Sequence, residues 1–446
     1  MKTKTTVKTT WNRLIEVLSL LFGTKVITAR LGCILVLAVG TILSGCGGGS
    51  GSSAPGAATG TVTITVKLID EATQSPIQNV TVQLDASGST TTITNSSGIA
   101  TFSGIGAGAH DIHAFPLSHN WISAYGVNLT HVELTLSSNV SSFVNLTGTI
   151  SNLTPASSGR IVLKTATSSY TGYFFSNGPH NTNTQSFAAP GSLIPSTVWG
   201  LEDSSVGGVT SVVDAVNLGP MTFTTNAVSG NSPSLLNIAF NVAKPAVTTL
   251  ANISSVTAPS GISVNSLTAY SDGSSSQIML AARSGASGLL SAYDPFGVGT
   301  LAVMAVGNAG AGGAFWQKAE MITKGATHIM LAAITNVPSI TAGQSGNTIT
   351  FTPASGAAIG LPSVLIRDTV SRKRWVLVGP SGVSNFTLPT LPVGVTPILF
   401  SGTNYQASVS VTVYNALTFE QFLSTTANQN SMLFEVAQSG AVSYTR

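Results

Sequence analysis

Alternation of polar and apolar residues with a period of two limits this chain more than any other feature of its sequence. The pattern runs through residues 61–68 and returns at 79–84. Because successive side chains of a strand point to opposite faces of a sheet, it indicates half-buried strands. Further strands are predicted at residues 90–94, 99–102 and 111–115, separated by turns rich in Gly, Asn and Ser. Short strands at this spacing predict an antiparallel β-sandwich.

Two motifs in this stretch resemble those of carboxypeptidase regulatory-like domains. The first is an opening Asp-x5-Pro-Ile-x2-Val-x-Val-x-Leu, and the second is Thr-Asn-x2-Gly-x3-Phe-x2-Ile-x2-Gly, beginning at Asp70 and Thr94. The resemblance covers residues 60–147, and it departs from the family at His110, where a Tyr is usual. It implies a transthyretin-like (prealbumin-like) sandwich that is accessory rather than catalytic. The broader fold group includes carbohydrate-binding relatives.

A short motif recurs three times further along the chain. Its isoleucines, Ile150, Ile253 and Ile349, lie 103 and 96 residues apart, and each copy leads into a turn of Pro, Ser and Gly. A spacing near 100 residues fits one sandwich per repeat. The alternative is chance recurrence in a compositionally biased chain. Repetition predicts four modules, which span residues 59–147, 148–250, 251–346 and 347–446. A short C-terminal helix is predicted at residues 417–424.

The predicted fold class is therefore all-β, with tandem antiparallel sandwiches of transthyretin-like or immunoglobulin-like type. Apolar residues make up 43% of the chain and charged residues only 7%, against about 25% in an ordinary soluble domain. Disordered chains combine low hydrophobicity with high charge, so this composition argues against disorder. Neutral polar residues must cover most of the surface.

The N-terminus has the layout of an export signal. Basic residues precede an apolar run at residues 31–43, and the sequence Leu-Ser-Gly-Cys ends at Cys46. A spanning helix needs about 20 apolar residues, whereas the core of a signal peptide needs about 7–15. The 13 residues of this run favour a signal peptide over residues 1–45. An unusually long basic region, with its own apolar cluster at residues 11–22, departs from the usual pattern.

The Leu-Ser-Gly-Cys sequence resembles the lipobox of bacterial lipoproteins. The resemblance implies cleavage before Cys46 and acylation of that cysteine, with Gly47 rather than Asp favouring the outer membrane. The resemblance does not decide between the periplasmic face and the cell-surface face of the outer membrane. A non-acylated signal is the alternative. Residues 46–58 are rich in Gly and Ser and predict a flexible linker that spans about 20 Å on average.

Charge and cysteine content exclude several classes of function. Residues 1–45 hold six basic groups and one acid, which leaves 12 basic and 14 acidic residues in the rest. That balance gives no electrostatic case for nucleic acid. Cys33 would leave with the signal and Cys46 would be acylated, so the remainder would lack a disulfide, a thiolate nucleophile and Cys-ligated metal.

Candidate catalytic and metal residues are few. Apart from Asp111, no carboxylate lies at ligand spacing beside the histidines, so we expect no metal site. The six histidines are His110, His113, His119, His131, His180 and His328. The chain also lacks a Gly-x-Ser-x-Gly elbow and a phosphate loop. We therefore predict no catalytic residues and no cofactor. A paired-carboxylate glycosidase stays open.

One basic cluster stands out in this sparsely charged chain. Arg372, Lys373, Arg374 and Trp375 lie between two predicted strands, at the tip of a hairpin. The functional interpretation is a contact for an anionic glycan, lipid headgroup or partner protein. The structural interpretation, which we favour, is a solvated turn that protects a sheet edge from aggregation.

Aromatic residues offer a second candidate surface. The tryptophans fall one per predicted module, at Trp121, Trp199, Trp316 and Trp375. They could form a platform for sugars, but packing in the core is the commoner place for Trp in a sandwich.

The sequence predicts a non-enzymatic, lipid-anchored envelope protein that acts as a spacer, adhesin or assembly scaffold. Its expected partners are the membrane, through the lipid, and glycans or other envelope proteins. A carbohydrate-binding lipoprotein is the alternative, and a hydrolase with an unrecognised catalytic module within residues 148–446 is a weaker one.

Overall fold

The structure is a computed structural model, and it confirms the all-β fold class built from sandwiches. It describes residues 60–71, 73–87, 90–138, 142–164, 169–174, 176–186, 191–193, 197–226, 233–271, 278–297, 299–310, 313–341, 344–356, 360–369, 373–395, 405–414, 418–424 and 434–445. The signal, Cys46 and the linker lie outside these residues. We group the strands into four units in chain order.

Unit 1 contains seven strands, the five that the sequence predicts and two more at its end. They are β1 (Thr61–Asp70), β2 (Thr81–Leu84), β3 (Thr90–Ile93), β4 (Ile99–Gly106), β5 (His110–Phe115), β6 (Trp121–Val127) and β7 (His131–Leu136). A three-stranded sheet, β4-β1-β7, packs on a four-stranded sheet, β3-β2-β5-β6. Gly98, in the turn before β4, needs its φ of +72°, and a Cβ there would lie 2.7 Å from the carbonyl oxygen of Leu68.

Unit 2 repeats this plan with extra short strands. They are β8 (Ser142–Ser151), β9 (Ser158–Lys164), β10 (Ser169–Phe174), β11 (Gly178–Ser186), β12 (Gly191–Leu193), β13 (Thr197–Val206), β14 (Val209–Gly219), β15 (Phe223–Asn226), β16 (Ser234–Leu235) and β17 (Ile238–Ala239). The four-stranded sheet is β10-β9-β13-β14, and β8 lies inside the second sheet.

Unit 3 has seven strands arranged as in unit 1. They are β18 (Thr248–Thr257), β19 (Ser263–Ser271), β20 (Met279–Ser284), β21 (Gly288–Ala292), β22 (Thr300–Asn308), β23 (Phe315–Thr323) and β24 (Thr327–Leu331). Its sheets are β20-β19-β22-β23 and β21-β18-β24. Residues 250 and 251, between which the sequence analysis places a module limit, both lie in β18.

Unit 4 follows three short connecting strands, β25 (Ile334–Asn336), β26 (Ser339–Ile340) and β27 (Gln344–Ser345). Its own strands are β28 (Thr348–Thr352), β29 (Ser355–Gly356), β30 (Gly360–Asp368), β31 (Arg374–Val378), β32 (Asn385–Thr387), β33 (Tyr405–Tyr414), β34 (Phe434–Gln438) and β35 (Val442–Thr445). One helix, α1 (Phe419–Ser424), lies where a helix was predicted. The sheets are β31-β30-β33-β34 and β26-β28-β32.

The repeated isoleucines occupy equivalent places in units 2, 3 and 4. Ile150, Ile253 and Ile349 lie in β8, β18 and β28, each inside the sheet that packs against the four-stranded sheet of its unit, and are at most 1% exposed. In units 1 and 3 this strand has an antiparallel neighbour on one side and a parallel one on the other. The sheets are therefore mixed, not wholly antiparallel as predicted. The residue limits of the four modules remain predictions.

The four-stranded sheets join edge to edge into one continuous run of 16 strands, and β35 and β27 belong to the same sheet beside β33. Strand β6 pairs with β31 in parallel, and β34 with β23 and β20 with β14 in antiparallel fashion. The order of units along the sheet is therefore 1-4-3-2. Unit 4 returns to pair with unit 1 although it lies furthest from it in sequence.

This order forces the sheet to curl. Nine strand spacings separate β6 from β14, which is roughly 43 Å in a flat sheet. Only the segment from Leu136 to Ser142 joins β7 to β8, and six residues span at most about 20 Å. Units 1 and 2, at opposite ends of the strand order, are therefore close together.

Neighbouring units also share hydrophobic cores. Phe115, Trp121 and Tyr125 lie on the outer face of the unit 1 sheet, yet they are part of the unit 4 core. In the same way Val162 and Leu201 of unit 2 pack into the unit 3 core. The junctions are therefore packed interiors and not flexible hinges.

Candidate functional site

The junction between units 1 and 4 holds an aromatic cluster. Trp121 lies directly opposite Trp375 across the parallel β6–β31 pair, and their rings meet edge to face with centroids 5.3 Å apart. Phe115 contacts both rings, at 5.0 Å and 6.0 Å. Such pairs each contribute about 0.5–1.5 kcal/mol beyond area burial. Trp375 is fully buried and Trp121 is 3% exposed, so this cluster holds the two units together.

A buried polar relay runs beside the aromatic cluster. Trp375 Nε1 donates to Ser123 Oγ at 2.9 Å, and Ser123 Oγ lies 2.8 Å from His113 Nδ1. Ser123 Oγ therefore joins both rings, and His113 Nε2 is buried with no hydrogen-bond partner among the described residues. Burial lowers the pKa of His113 to about 4, against a smaller opposing effect of Asp85. His113 is therefore neutral at pH 7.

Helix α1 adds a second contact between the same two units. Phe419 and Leu423 are buried in the core of unit 1. Thr418 and Gln421 form a capping box, with Thr418 Oγ1 accepting from Gln421 N and Gln421 Oε1 accepting from Thr418 N. Because six residues make a marginal helix, this cap and the burial of its apolar face explain why it forms.

The junction of units 3 and 4 is organised by Glu435. Its carboxylate is 3% exposed and accepts from Trp316 Nε1 at 2.7 Å, Ala333 N at 2.7 Å and Ile334 N at 3.1 Å. Lys318 Nζ lies 3.7 Å away. A carboxylate on β34 thus fixes β23 and the segment after β24.

The junction of units 2 and 3 is organised by Arg160. Its guanidinium pairs with Asp203, with Nη2 2.8 Å from Oδ1, and Nη2 also donates to the carbonyl of Met279 at 2.8 Å. Burial alone would lower the pKa of Arg160, but Asp203 outweighs it and raises the pKa. The charge is therefore kept in a site where Arg160 is only 3% exposed.

Other buried acids fix loops within a unit. Lys244 Nζ lies 2.6 Å from Glu202 and 3.4 Å from Asp214. Burial raises the pKa of Glu202, but hydrogen bonds from Lys244 and Thr154 lower it by a larger amount. The pKa of Glu202 is therefore below its usual value. The arrangement ties the segment after β17 to β13 and β14.

The histidines of unit 1 hold loops in place. His119 Nε2 lies 2.8 Å from Asp70 Oδ2, and His110 Nδ1 lies 3.0 Å from Asp85 Oδ2. Burial raises the pKa of Asp70, yet His119 and Thr73 lower it more. Within the described ranges, no group of three or more His, Cys, Asp and Glu residues is placed to hold a metal ion.

The basic hairpin differs from its prediction in one respect. Arg372 lies outside the described residues, whereas Lys373 and Arg374 are half-buried at the start of β31. The hairpin is closed by Asp368 N donating to the carbonyl of Lys373 at 3.0 Å. Trp375 faces the core, so alternation along β31 removes it from the predicted contact surface. Partner contact by the three basic residues remains a prediction.

Most of the predicted aromatic platform is interior. Trp121, Trp316 and Trp375 are at most 3% exposed, and Trp199 is half-buried against Phe296 at 4.9 Å. The prediction of core packing therefore describes these side chains better than the prediction of a sugar platform.

Sequence reasoning missed the residues that lock the junctions. Ser123, Glu435 and Arg160 carry no local motif, and their partners lie 119 or more residues away in three of the bonds above. The one available signal was the scarcity of charge, since a lone Arg or Glu in an apolar strand is seldom buried without a partner.

Comparisons with known proteins do not assign this chain to a family. No protein-family model matches the chain, and no curated protein matches it. Among solved structures, a streptococcal ancillary pilin matches at TM-score 0.17 and 10% identity, over 42% of this chain and 64% of the pilin. The chain thus spans less than two thirds of that protein.

Two further structures match as poorly. The shaft pilin SpaA from Lactobacillus rhamnosus GG has TM-score 0.16, 10% identity and coverage of 42% of this chain and 100% of the pilin. The TIE protein of Bacillus anthracis has TM-score 0.18, 11% identity and coverage of 61% and 50%. TM-scores this low carry no argument about function. In the described part of the chain, helices are too short or too polar to cross a membrane.

Proposed function

We propose that this chain is a non-catalytic, lipid-anchored protein of the bacterial envelope that works as a rigid adhesin or assembly scaffold. The observation that carries the proposal is the continuous sheet through all four units, with cores shared across its junctions. The buried charged groups described above serve these junctions and loops. A body built in this way presents a fixed surface to a partner.

The return of unit 4 to unit 1 argues against the spacer role. A spacer gains reach when its modules follow one another in a line. Here β6–β31 pairing folds the array back on itself, so four units give far less reach than a linear string. Of the three roles predicted, adhesin and scaffold fit this geometry best.

Cys46 supplies the membrane partner in this proposal, through the lipobox resemblance and the linker at residues 46–58. One acyl chain binds a membrane only reversibly, and several chains make the attachment stable. The outer membrane is the proposed location. Glycans or other envelope proteins are the proposed partners, and the hairpin with Lys373 and Arg374 is the candidate contact. The first unit is proposed to be a carboxypeptidase regulatory-like domain.

Membrane fractionation of Cys46→Ser tests the anchor. We expect wild type to fractionate with the outer membrane and to carry acyl chains by mass spectrometry of its N-terminal peptide. The Cys46→Ser protein should either retain its signal peptide or be recovered without acyl chains. An unacylated wild-type Cys46 with residues 31–43 still attached would refute the proposal.

Solution scattering tests the rigid body independently of the anchor. A compact chain of this size has a radius of gyration of about 21 Å, whereas a string of four 100-residue units would have about twice that value. We expect the compact value once the linker is allowed for. A glycan array with the same full-length protein tests the carbohydrate alternative, since saturable binding to a neutral sugar would favour it.

A further inference from the structure

Strand β24 forms an open edge of unit 3. It is the last strand of the sheet β21-β18-β24, and among the described residues no strand pairs with its other side. Ala332 N, just after β24, donates to the carbonyl of Thr257 on β18 at 3.0 Å. In a parallel ladder alternate residues turn their N–H and C=O groups towards the same neighbour. The intervening residues Thr327, Ile329 and Leu331 therefore present their backbone groups at the open edge.

This edge lacks most of the protection that natural sheet edges carry. Charged side chains, proline or a covering element usually keep such an edge from pairing with another chain. The sequence of β24, Thr-His-Ile-Met-Leu, has no Asp, Glu, Lys, Arg or Pro. In unit 1 the equivalent strand β7 carries Glu133, 3.8 Å from Lys67, and helix α1 packs against it. On β24 the one charged contact is at its end, where Lys318 Nζ donates to the carbonyl of Leu331.

The side chains of β24 divide between the core and the solvent. Met330 is fully buried in the unit 3 core, whereas Ile329 and Leu331 on either side of it are 54% and 59% exposed. His328 is turned towards β23, where its Nε2 lies 2.5 Å from Glu320 Oε2. The outward side of β24 therefore consists of a threonine hydroxyl and two aliphatic side chains, without charge.

We propose that two copies of this chain associate by antiparallel pairing of β24 with itself, centred on Ile329. In this register Ile329 lies opposite Ile329 of the second copy, and Thr327 lies opposite Leu331. The three residue pairs exchange six backbone hydrogen bonds. The carbonyl of Leu331 can accept one of them in addition to the bond from Lys318, because a carbonyl oxygen has two lone pairs. The two three-stranded sheets become one sheet of six strands.

Charge and continuity favour a second copy over an unrelated strand. Like charges directly opposite each other destabilise a strand pair, and an uncharged strand meets its own copy without that repulsion. A two-fold axis through the pair makes the contact self-complementary and closes the assembly at two copies. The chain already joins its own units by edge pairing at β6–β31, β34–β23 and β20–β14, so the proposed contact continues the same kind of interface.

This inference deepens the scaffold role in the proposed function, since it names a partner for assembly, and it rests on that role only for the biological setting. Pairing of β24 needs no lipid on Cys46. A failure of acylation would overturn the envelope location and leave the dimer standing. A chain that stays monomeric would overturn the dimer and leave the anchor standing.

Sedimentation of the full-length protein in density-matched detergent tests the dimer over a series of concentrations. We expect wild type to double its mass as concentration rises. Ile329→Lys places two like charges opposite each other at the axis and should weaken dimerisation about tenfold or more. Leu289→Lys is the matched control, because Leu289 is a 47% exposed aliphatic residue at the other side of the same sheet, on β21. Equal melting temperatures at low concentration would show that both variants fold.

Disulfide cross-linking tests the register, in a background that carries Cys33→Ser and Cys46→Ser. Opposite residues of a hydrogen-bonded pair have Cα atoms about 5.5 Å apart, which suits a disulfide, so Ile329→Cys should cross-link. The two copies of residue 327 would be about 13 Å apart, so Thr327→Cys alone should not cross-link. Thr327→Cys mixed with Leu331→Cys should do so. A monomer at all concentrations, which an unrelated strand as the occupant would give, overturns the proposal. Equal weakening by Leu289→Lys, or cross-linking of Thr327→Cys alone, also overturns it.

Discussion

Trp375 and Ser123 lie 252 positions apart in sequence, yet Trp375 Nε1 donates a 2.9 Å hydrogen bond to Ser123 Oγ. The bond joins unit 4 to unit 1 in a buried site, where an unsatisfied donor is costly. Each junction that joins the four-stranded sheets has such a lock: this indole–hydroxyl bond, the Glu435 carboxylate, and the bond from Arg160 to the carbonyl of Met279. In so sparsely charged a chain, the locks define how the units fit together.

Removal of the Ser123 hydroxyl should loosen this junction. Ser123→Ala leaves Trp375 Nε1 and His113 Nδ1 buried without their partner, so we expect a loss of about 1–3 kcal/mol in the free energy of unfolding. Chemical denaturation measures it. Ser363→Ala is the control, since its hydroxyl bonds to Ser410 at 2.7 Å in a half-buried site, and it should cost less than about 1 kcal/mol. Equal losses in the two variants would contradict the role given to Ser123.

Acid should destabilise the same junction through His113. Its pKa is about 4 when folded and 6.5 when unfolded, so between these values the unfolded chain binds more protons. The stabilising contribution of His113 is therefore complete above pH 6.5 and is lost as pH falls towards 4, on the order of 3 kcal/mol in all.

Thermal melts from pH 7 to pH 4 of wild type and His113→Gln measure this contribution as a difference. Taking the difference removes other groups, including His110, whose raised pKa acts in the opposite direction. His131→Gln, at an exposed site, should follow wild type. Parallel pH curves for wild type and His113→Gln would show that the buried imidazole does not titrate as described.

Neutralising Glu435 should unlock units 3 and 4. Glu435→Gln keeps the shape but replaces one carboxylate oxygen with a donor, which then faces either Ala333 N or both Trp316 Nε1 and Ile334 N. We expect a loss of about 2–4 kcal/mol, by analogy with buried charged hydrogen bonds. Glu320→Gln, which removes a more exposed partner of the same Lys318, should cost less than about 1 kcal/mol. Chemical denaturation distinguishes the two, and similar costs would count against the lock.

A mutation in helix α1 should destabilise unit 1. Leu423→Ala opens a cavity in that core and should cost about 2–5 kcal/mol. Hydrogen exchange should show β7 losing protection, although β7 lies nearly 300 residues earlier in sequence. Glu420→Gln, on the same helix, should leave β7 unchanged. Loss of protection confined to unit 4 would mean that α1 does not support unit 1.

The strands could be predicted from local sequence, because alternation in residues 61–68 reports directly which face of a strand is buried. Ile150, Ile253 and Ile349 marked inner strands of three of the second sheets for the same reason. Pairing of β6 with β31 could not be predicted, because an edge contact between distant strands leaves no periodic trace in either one.

The candidate site shows the same division. The basic residues Lys373 and Arg374 stood out in the sequence because charged residues are scarce in this chain. The face on which Trp375 lies depends on the strand register, and a shift of one residue reverses it.

Synthesis from the N-terminus gives the β6–β31 pairing a kinetic consequence. When Trp121–Val127 has left the ribosome, its partner Arg374–Val378 has still to be made. At 5–20 residues per second that delay lasts on the order of 10 to 50 s. Throughout it the nascent chain carries an open, uncharged strand edge flanked by Trp and Tyr, of the kind that aggregates readily. The edge of β6 therefore stays without its native partner until the last part of the chain has been made.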